Sequence, residues 1–289
     1  MDYRFTMMVD ATASMPEQWH TEKDVCYLPH ATVIDGKENW DNFGKDMPIE
    51  AVYTYIRGGG MPSTAQGSQE QIYHFFDESG KKGLDALYVA FSSGLTGTIG
   101  TAAAIAAELT EKYPERKFVC FDTLAASCGH GLLAILAQQL REQGASVDET
   151  VAVLTERRLK VCHFFTVDDL NHLYRGGRLS KTAALVGTLV GIKPVLYVND
   201  EGRLVPLGKK RGRRAAMEEL VRLTHEYIRE DKTVYIMHGD CLDEAKQLGA
   251  LLLAQIPDAQ IHYTLIAPTI AVHAGPGTLA TVFWGEKRL

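Results

Sequence analysis

The chain lacks the marks of several protein classes. No apolar run reaches the ~18 residues that a bilayer-spanning helix needs. The opening residues, MDYRFTMMVDATAS, show no basic start followed by a long apolar core, so no secretory leader is expected. There are only five cysteines, Cys26, Cys120, Cys128, Cys162 and Cys241, with no CxxC and no zinc spacing. Their odd number and apolar neighbours predict reduced, mostly buried thiols and a cytoplasmic setting. The ten histidines form no HxxxH or HExxH, so no metal site and no cofactor is expected. GxxxxGK[ST], GxGxxG and GxSxG are all missing, which disfavours a nucleotide P-loop, a dinucleotide site and a serine-hydrolase elbow. A net charge of −6 argues against a general nucleic-acid binder.

What is present is an ordinary globular composition, 46% hydrophobic and 23% charged over 289 residues. That length suits one large domain or two of ordinary size. Apolar β-type runs recur at 5–9 (FTMMV), 84–91 (LDALYVAF) and 117–121 (KFVCF). Helical patterns follow them. DMPIEAVYTYIR offers Asp46 as an N-cap with Pro48 in the first turn, SQEQIYHFFDES is amphipathic, and GHGLLAILAQQLREQG is bounded by glycine. The alternation predicts βαβ units and a doubly wound, mostly parallel sheet over residues 1–160.

The texture then changes. VCHFFTV reads as a strand, DDLNHLYRGGR as a short helix, and 194–208 as a hairpin turning at Asp200-Glu201-Gly202. A helix (213–230), a strand (233–238), a helix (242–256) and strands to the end follow. The expectation is a mixed α+β domain over 161–289, with a ligand between the two domains.

Ligands of open α/β sheets bind beyond the carboxyl ends of the strands. Three strands here end in small polar residues: at Asp10 before Ala11-Thr12-Ala13-Ser14, at Ser92-Ser93-Gly94, and at Asp122-Thr123. The loop GGGMPSTAQGSQ carries Thr64, and VHAGPG sets His273 before a Gly-Pro-Gly turn. Each also has a plainer reading. Asp10 and Asp122 could cap helices, Ser93 could be an N-terminal hydroxyl, His273 a structural hydrogen bonder, and Thr64 an ordinary loop residue. SSGLTGT, leading into an alanine-rich helix, offers hydroxyls and amides without lysine or arginine. That chemistry suits a small anion such as a carboxylate.

In this order the motifs resemble the DegV family of bacterial fatty-acid-binding proteins. VDATAS (9–14) is similar to the family's Asp-Ser-Thr opening, with Ala11 in place of serine. PSTAQGS (62–68) is similar to its Thr-Ser-Gln-Pro-Ser loop at Thr64, Gln66 and Ser68, and departs from it at Ala65 and Gly67. SSGLTGT, FDTLAASCGHG, LNHLYRGGRLSKTAALVGTLVGIKPVL and HAGPG match further segments, and the likeness covers almost the whole chain. It implies a long-chain fatty acid between two α/β domains, with its carboxylate at their interface. By position, Thr64 and Ser93 would hold the carboxylate, and Arg178 and His273 would complete the network. Asp10, Gly94, Thr96, Gly97, Asp122 and Gly275 would shape the supporting loops. The resemblance implies no intrinsic catalysis, but presentation of the lipid to the catalytic subunit of a fatty acid kinase, which makes acyl phosphate. The apolar stretch 182–192 is expected as a tunnel wall.

The segment RLVPLGKKRGRR (203–214) carries six cations and no acid. It reads as a solvated hairpin, as a docking surface through Arg211 and Arg213 for an acidic partner, or as a point of transient contact with an anionic membrane. It is short and without interleaved aromatics, so nucleic acid is not the expected partner. The competing reading of the whole chain is an enzyme on the same scaffold, using Ser93 and His273 on a small acyl or phosphoryl substrate.

Overall fold

The structure is a computed structural model and describes residues 3–180, 191–229 and 231–289. The first sheet is parallel throughout. Its strands are β1 (Phe5–Asp10), β2 (Val25–Leu28), β6 (Asp85–Ala90) and β7 (Phe118–Asp122), in the order β2-β1-β6-β7. Period-two alternation sends its side chains to two cores. Met7, Val9, Leu87 and Val89 meet Leu132, Leu133 and Ala137 of helix α5 (Cys128–Glu142). Met8, Ala86, Tyr88 and Ala90 meet α3 (Gln69–Lys81) and α4 (Thr98–Lys112) on the other face. Burial on both faces explains why these strands read as near-continuous apolar runs.

The second sheet is mixed and six-stranded. It is built from β8 (Val161–Thr166), β9 (Ile192–Val198), β10 (Leu204–Arg211), β11 (Thr233–His238), β12 (Gln260–Leu265) and β13 (Leu279–Trp284), in the order β10-β9-β8-β13-β11-β12. Its odd-even alternation is equally clean. Cys162, Phe164, Val195, Leu279 and Phe283 pack beneath α8 (Arg213–Tyr227) and α9 (Leu242–Gln255). Phe165, Leu196, Met237, Ala280 and Val282 turn the other way and share one apolar cluster with the first sheet. The α/β class, the parallel order and the hairpin at Asp200-Glu201-Gly202 agree with the sequence reading. The stretch 182–192 lies outside the described residues except for Gly191 and Ile192, and Ile192 opens β9.

Three features differ from expectation. A small antiparallel sheet joins β3 (Ala31–Ile34), β4 (Lys37–Trp40) and β5 (Ser63–Ala65), so Thr64 sits on a strand paired with Thr32. Residues 268–274 form a helix, α10 (Pro268–Ala274), where strand was expected. Asp46 does not cap α2 (Ile49–Arg57). Pro48 holds that position, and Asp46 accepts from Asn42 at 2.9 Å. The cysteines are all free. Cys128 and Cys162 are buried, whereas Cys26 is exposed.

The two sheets are tied together at the hairpin turn. Ser92 Oγ donates to the Gly202 carbonyl at 2.8 Å. Gly202 has φ +70°, and a Cβ there would sit 2.0 Å from Ser92 Oγ. Gly94 faces the same turn, where a Cβ would meet the Glu201 carbonyl at 2.8 Å. Gly202→Ala therefore meets both strain and a clash, and should destabilise the protein by about 1–3 kcal/mol. Urea unfolding reads this directly. A midpoint equal to wild type would mean that the turn does not dock on the Ser92 loop.

Candidate functional site

Between the two sheets lies a cavity which, counted with its mouth, encloses about 980 Å³ of atom-free space. The second sheet supplies its apolar floor through Phe165, Val198, Leu204, Met237 and Val282. These are the residues that its alternation turns away from α8 and α9. Phe91 and Leu95, from the loop after β6, close the opposite side. Three polar side chains on the wall are occupied elsewhere, whereas the Thr12 and Thr269 hydroxyls are buried there without a partner. His30 Nε2 donates to Asp10 at 2.8 Å, Ser127 Oγ lies 2.9 Å from Ser14 Oγ, and Thr278 Oγ1 donates to the Ala274 carbonyl at 2.9 Å.

One end of the cavity is different. Thr64, Thr96, Arg178 and His273 all line it. Thr64 Oγ1 lies 2.9 Å from His273 Nε2, a bond between residues 209 positions apart. Helix α10 brings His273 there. It starts on Pro268, packs against α2, β3, β5 and α7 (Asn171–Arg175), and ends at Gly275, whose φ is +78°. Arg178 Nε donates to the Leu95 carbonyl at 3.0 Å, and its Nη1 to Gly176. Thr96 Oγ1 accepts from Thr98 N at 3.3 Å. Arg178 is the only lysine, arginine, aspartate or glutamate on this wall among the described residues.

His273 is held neutral. Burial first, and the Arg178 charge second, push it down to about 4. Its Nδ1 is buried without a partner and packs on Gly176, where a Cβ would sit 2.1 Å away. A buried N–H without an acceptor is rarer than a bare acceptor nitrogen. We therefore assign the proton to Nε2, which donates to Thr64 and frees the Thr64 hydroxyl proton for a ligand.

The expected residues divide. Thr64, Arg178 and His273 converge, and Thr96 joins them as a lining group rather than a supporting one. Ser93 does not: it is exposed and outside the cavity wall. The loop coils at this point, since Leu95 N and Thr96 N both donate to the Ser92 carbonyl at 3.0 and 3.1 Å, and this turn carries Ser93 outward. Asp122 serves that same turn by accepting from Ser93 N at 3.2 Å and Leu124 N at 3.0 Å. Gly97 lets Gln66 approach, since a Cβ there would meet its Nε2 at 2.8 Å. The Ser93–His273 pair of the enzyme reading is not assembled, because the two line no common cavity.

Asp10 is not a side-chain cap. It is fully buried and accepts from His30, from Tyr88 OH at 2.6 Å and from Phe91 N at 2.8 Å. Burial raises its pKa, but the hydrogen bond and charge of His30, with His130 and Tyr88, outweigh it, and the carboxylate stays below its ordinary value. Arg213 is also corrected. It is only 15% exposed and bonds Glu244 at 2.6 Å and the Gly277 carbonyl, so it braces the Gly-Pro-Gly turn and offers no docking charge. Lys210 and Arg214 pair with Glu219 and Glu218. Lys209 and Arg211 are exposed and have no ion-pair partner among the described residues. Also among them, no three His, Cys, Asp or Glu side chains gather to hold a metal, and no helix is long and apolar enough to cross a membrane.

A parallel α/β unit facing a second mixed sheet, with an apolar cavity between them ended by hydroxyls, one arginine and a neutral histidine, defines an internal-ligand binding class. The chain belongs to the DegV family, whose model, described as an uncharacterised protein, matches residues 4–286. A DegV domain-containing protein of Clostridium perfringens is 38% identical over 99% of both chains. The solved structure titled for fatty acid binding of a DegV family protein from Thermus thermophilus is 28% identical, covers 98% of this chain and 99% of its own, and has a TM-score of 0.86. A fatty acid binding DegV family protein from Streptococcus agalactiae is 27% identical over 99% of this chain and all of its own, with a TM-score of 0.87.

The histidine chemistry fixes a pH response. An unfolded His273 takes up a proton near pH 6.5, whereas the folded one does so near 4. Between those values the unfolded state holds more protons, so stability falls as pH drops from about 6.5 to 4. In ligand-free protein, His273→Gln should make this fall shallower by up to one proton, read as the slope of unfolding free energy against pH. An unchanged slope would mean that His273 titrates alike in both states.

Proposed function

We propose that this protein binds one long-chain fatty acid, with its acyl chain along the apolar cavity and its carboxylate at Thr64, Thr96 and Arg178. The observation that carries this reading is the Thr64–His273 pair on the wall of a mostly apolar cavity. Burying methylenes contributes about 0.8 kcal/mol each, on the order of 10 kcal/mol for a C16 chain. A buried carboxylate is costly unless hydrogen-bonded, so the head-group donors set orientation. Thr64 donates its hydroxyl proton because Nε2 of His273 supplies the bond that its oxygen accepts. Arg178 supplies the charge. Thr96 takes the place expected for Ser93. The fatty acid binding stated for the Thermus thermophilus and Streptococcus agalactiae relatives supports the reading.

We further propose that the protein is a carrier without catalysis of its own, acting in the cytoplasm and presenting the carboxylate to a separate fatty acid kinase. There a carboxylate oxygen attacks the γ-phosphorus of ATP, the bond to the β-phosphate oxygen breaks, and ADP leaves. Acyl phosphate remains on the carrier. Arg211 and its neighbour Lys209 are the unpaired cations that suit an acidic kinase surface, with transient contact at an anionic membrane for lipid exchange.

Protein expressed in a bacterial host should yield about one long-chain fatty acid per chain on solvent extraction. None recovered, with no uptake of added palmitate or oleate, defeats the carrier reading. Thr64→Ala should weaken palmitate binding by roughly 1–3 kcal/mol and leave hexadecanol binding nearly unchanged, while Ser93→Ala changes neither. Equal losses for acid and alcohol would make Thr64 a shape residue. In a reconstituted kinase assay, Lys209→Glu with Arg211→Glu should slow acyl-phosphate formation and flatten its dependence on salt. Palmitate affinity should hold. Normal turnover at low salt would return the segment to a solvated turn.

A further inference from the structure

Among the described residues the cavity wall carries six hydroxyl side chains, and four of them are engaged. Thr64 meets His273, Thr96 meets Thr98, Ser127 meets Ser14, and Thr278 donates to Ala274. The other two are not. Thr12 is 1% exposed and Thr269 is 6% exposed, and neither hydroxyl has a hydrogen-bond partner among the described residues. Thr12 lies on the 3-10 turn Ala11–Ala13 after β1, and this turn packs against α10, which carries Thr269. The two hydroxyls therefore share one stretch of wall. Helix α10 turns Thr269, Ile270, His273 and Ala274 to the cavity. Thr269 and His273 are four residues apart, so they lie on one face, about 6 Å from each other along the helix axis. Buried hydroxyls without partners are costly, and protein interiors keep few of them. A plain hydrocarbon chain laid against this stretch returns no bond to either threonine.

We propose that Thr12 and Thr269 form a subsite for a hydroxyl carried on the acyl chain, so that the preferred cargo is a hydroxy fatty acid. This rests on the fatty-acid reading above and narrows its substrate class. A hydroxyl has one proton to give and lone pairs to accept with. It can accept from one threonine and donate to the other, which satisfies both wall groups and its own. The spacing from the head group sets its place on the chain. An extended polypeptide covers three bonds in ~3.3–3.6 Å, and a zigzag hydrocarbon likewise advances ~1.2 Å per bond. One helical turn then corresponds to about five bonds, which puts the hydroxyl near about carbon 6. A hydroxyl at the far end of the chain misses the pair. Because the two threonines are fixed in the wall, the two enantiomers at that carbon are not equivalent.

The test titrates delipidated protein with palmitate, with each enantiomer of 6-hydroxypalmitate, and with 16-hydroxypalmitate. One enantiomer of the 6-hydroxy acid should bind about fivefold more tightly than palmitate, and the 16-hydroxy acid more weakly than palmitate. Thr269→Val, and separately Thr12→Val, should bring that enantiomer and palmitate within about twofold of each other. Thr269→Ser, which keeps the hydroxyl, should keep the preference. Palmitate binding at least as tightly as both enantiomers defeats the subsite alone. So does a preference that survives both valine substitutions, or an equal gain for the 6- and 16-hydroxy acids. Where a valine variant does not fold, the wild-type ranking of the four ligands decides by itself. Wild type that binds none of them defeats the fatty-acid reading, and the subsite with it.

Discussion

An ionised carboxylate cannot be left unpaired in an apolar cavity, and under the proposed function this constraint organises the middle of the molecule. The answer here is a bond between Thr64 on an edge of a small antiparallel sheet and His273 on a short helix from the far end of the chain. Neither side chain is useful alone. A half-buried threonine hydroxyl with no acceptor bond of its own could turn either way, and the histidine fixes its direction. Placing Nδ1 against Gly176 leaves no room for a side chain there. Gly176 is thus packed against the Thr64–His273 pair, whereas Gly177 has open space beside it.

The same economy appears one layer back. Asp10 is a buried anion close to the carboxylate site proposed here. Its charge is spent on three donors, from His30, Tyr88 and the Phe91 amide. The last of these pins the end of β6 to the end of β1, and the loop that begins there delivers Leu95 and Thr96 to the cavity wall. Asp122 does the same service for the turn at Ser93. Two carboxylates expected near a ligand therefore shape the loops around it.

Much of this was legible in the sequence, and what was not has physical causes. The parallel strands and their helices were readable because both faces are buried and apolar runs result. Strands β3 to β5 were not, because ATVI, KENW and STA are short and mixed in polarity. Helix α10 was missed because Thr269, Ile270 and Val272 are β-branched, although Pro268 at its start and Gly275 past its end are ordinary helix boundary signals. The sequence points to Ser93 for the carboxylate, whereas Thr96 is the hydroxyl of that loop that lines the cavity. Two hydroxyls three residues apart in one loop have the same chemistry, and only the coil of that loop decides which faces inward. Arg213 was misread for a different reason. Its partner Glu244 lies 31 residues away on the next helix, and a charge run in one dimension does not reveal pairing in three.

A neutral histidine behind the threonine also bears on how the site can change its cargo. Had position 273 carried a fixed cation, a dehydrated carboxylate would meet two full charges, and release or modification would require breaking both. With a neutral imidazole, the single guanidinium of Arg178 supplies the charge, and it is already engaged by the Leu95 and Gly176 carbonyls. Under the proposed function, binding strength then comes chiefly from the acyl chain, with affinity along the chain and recognition at the end.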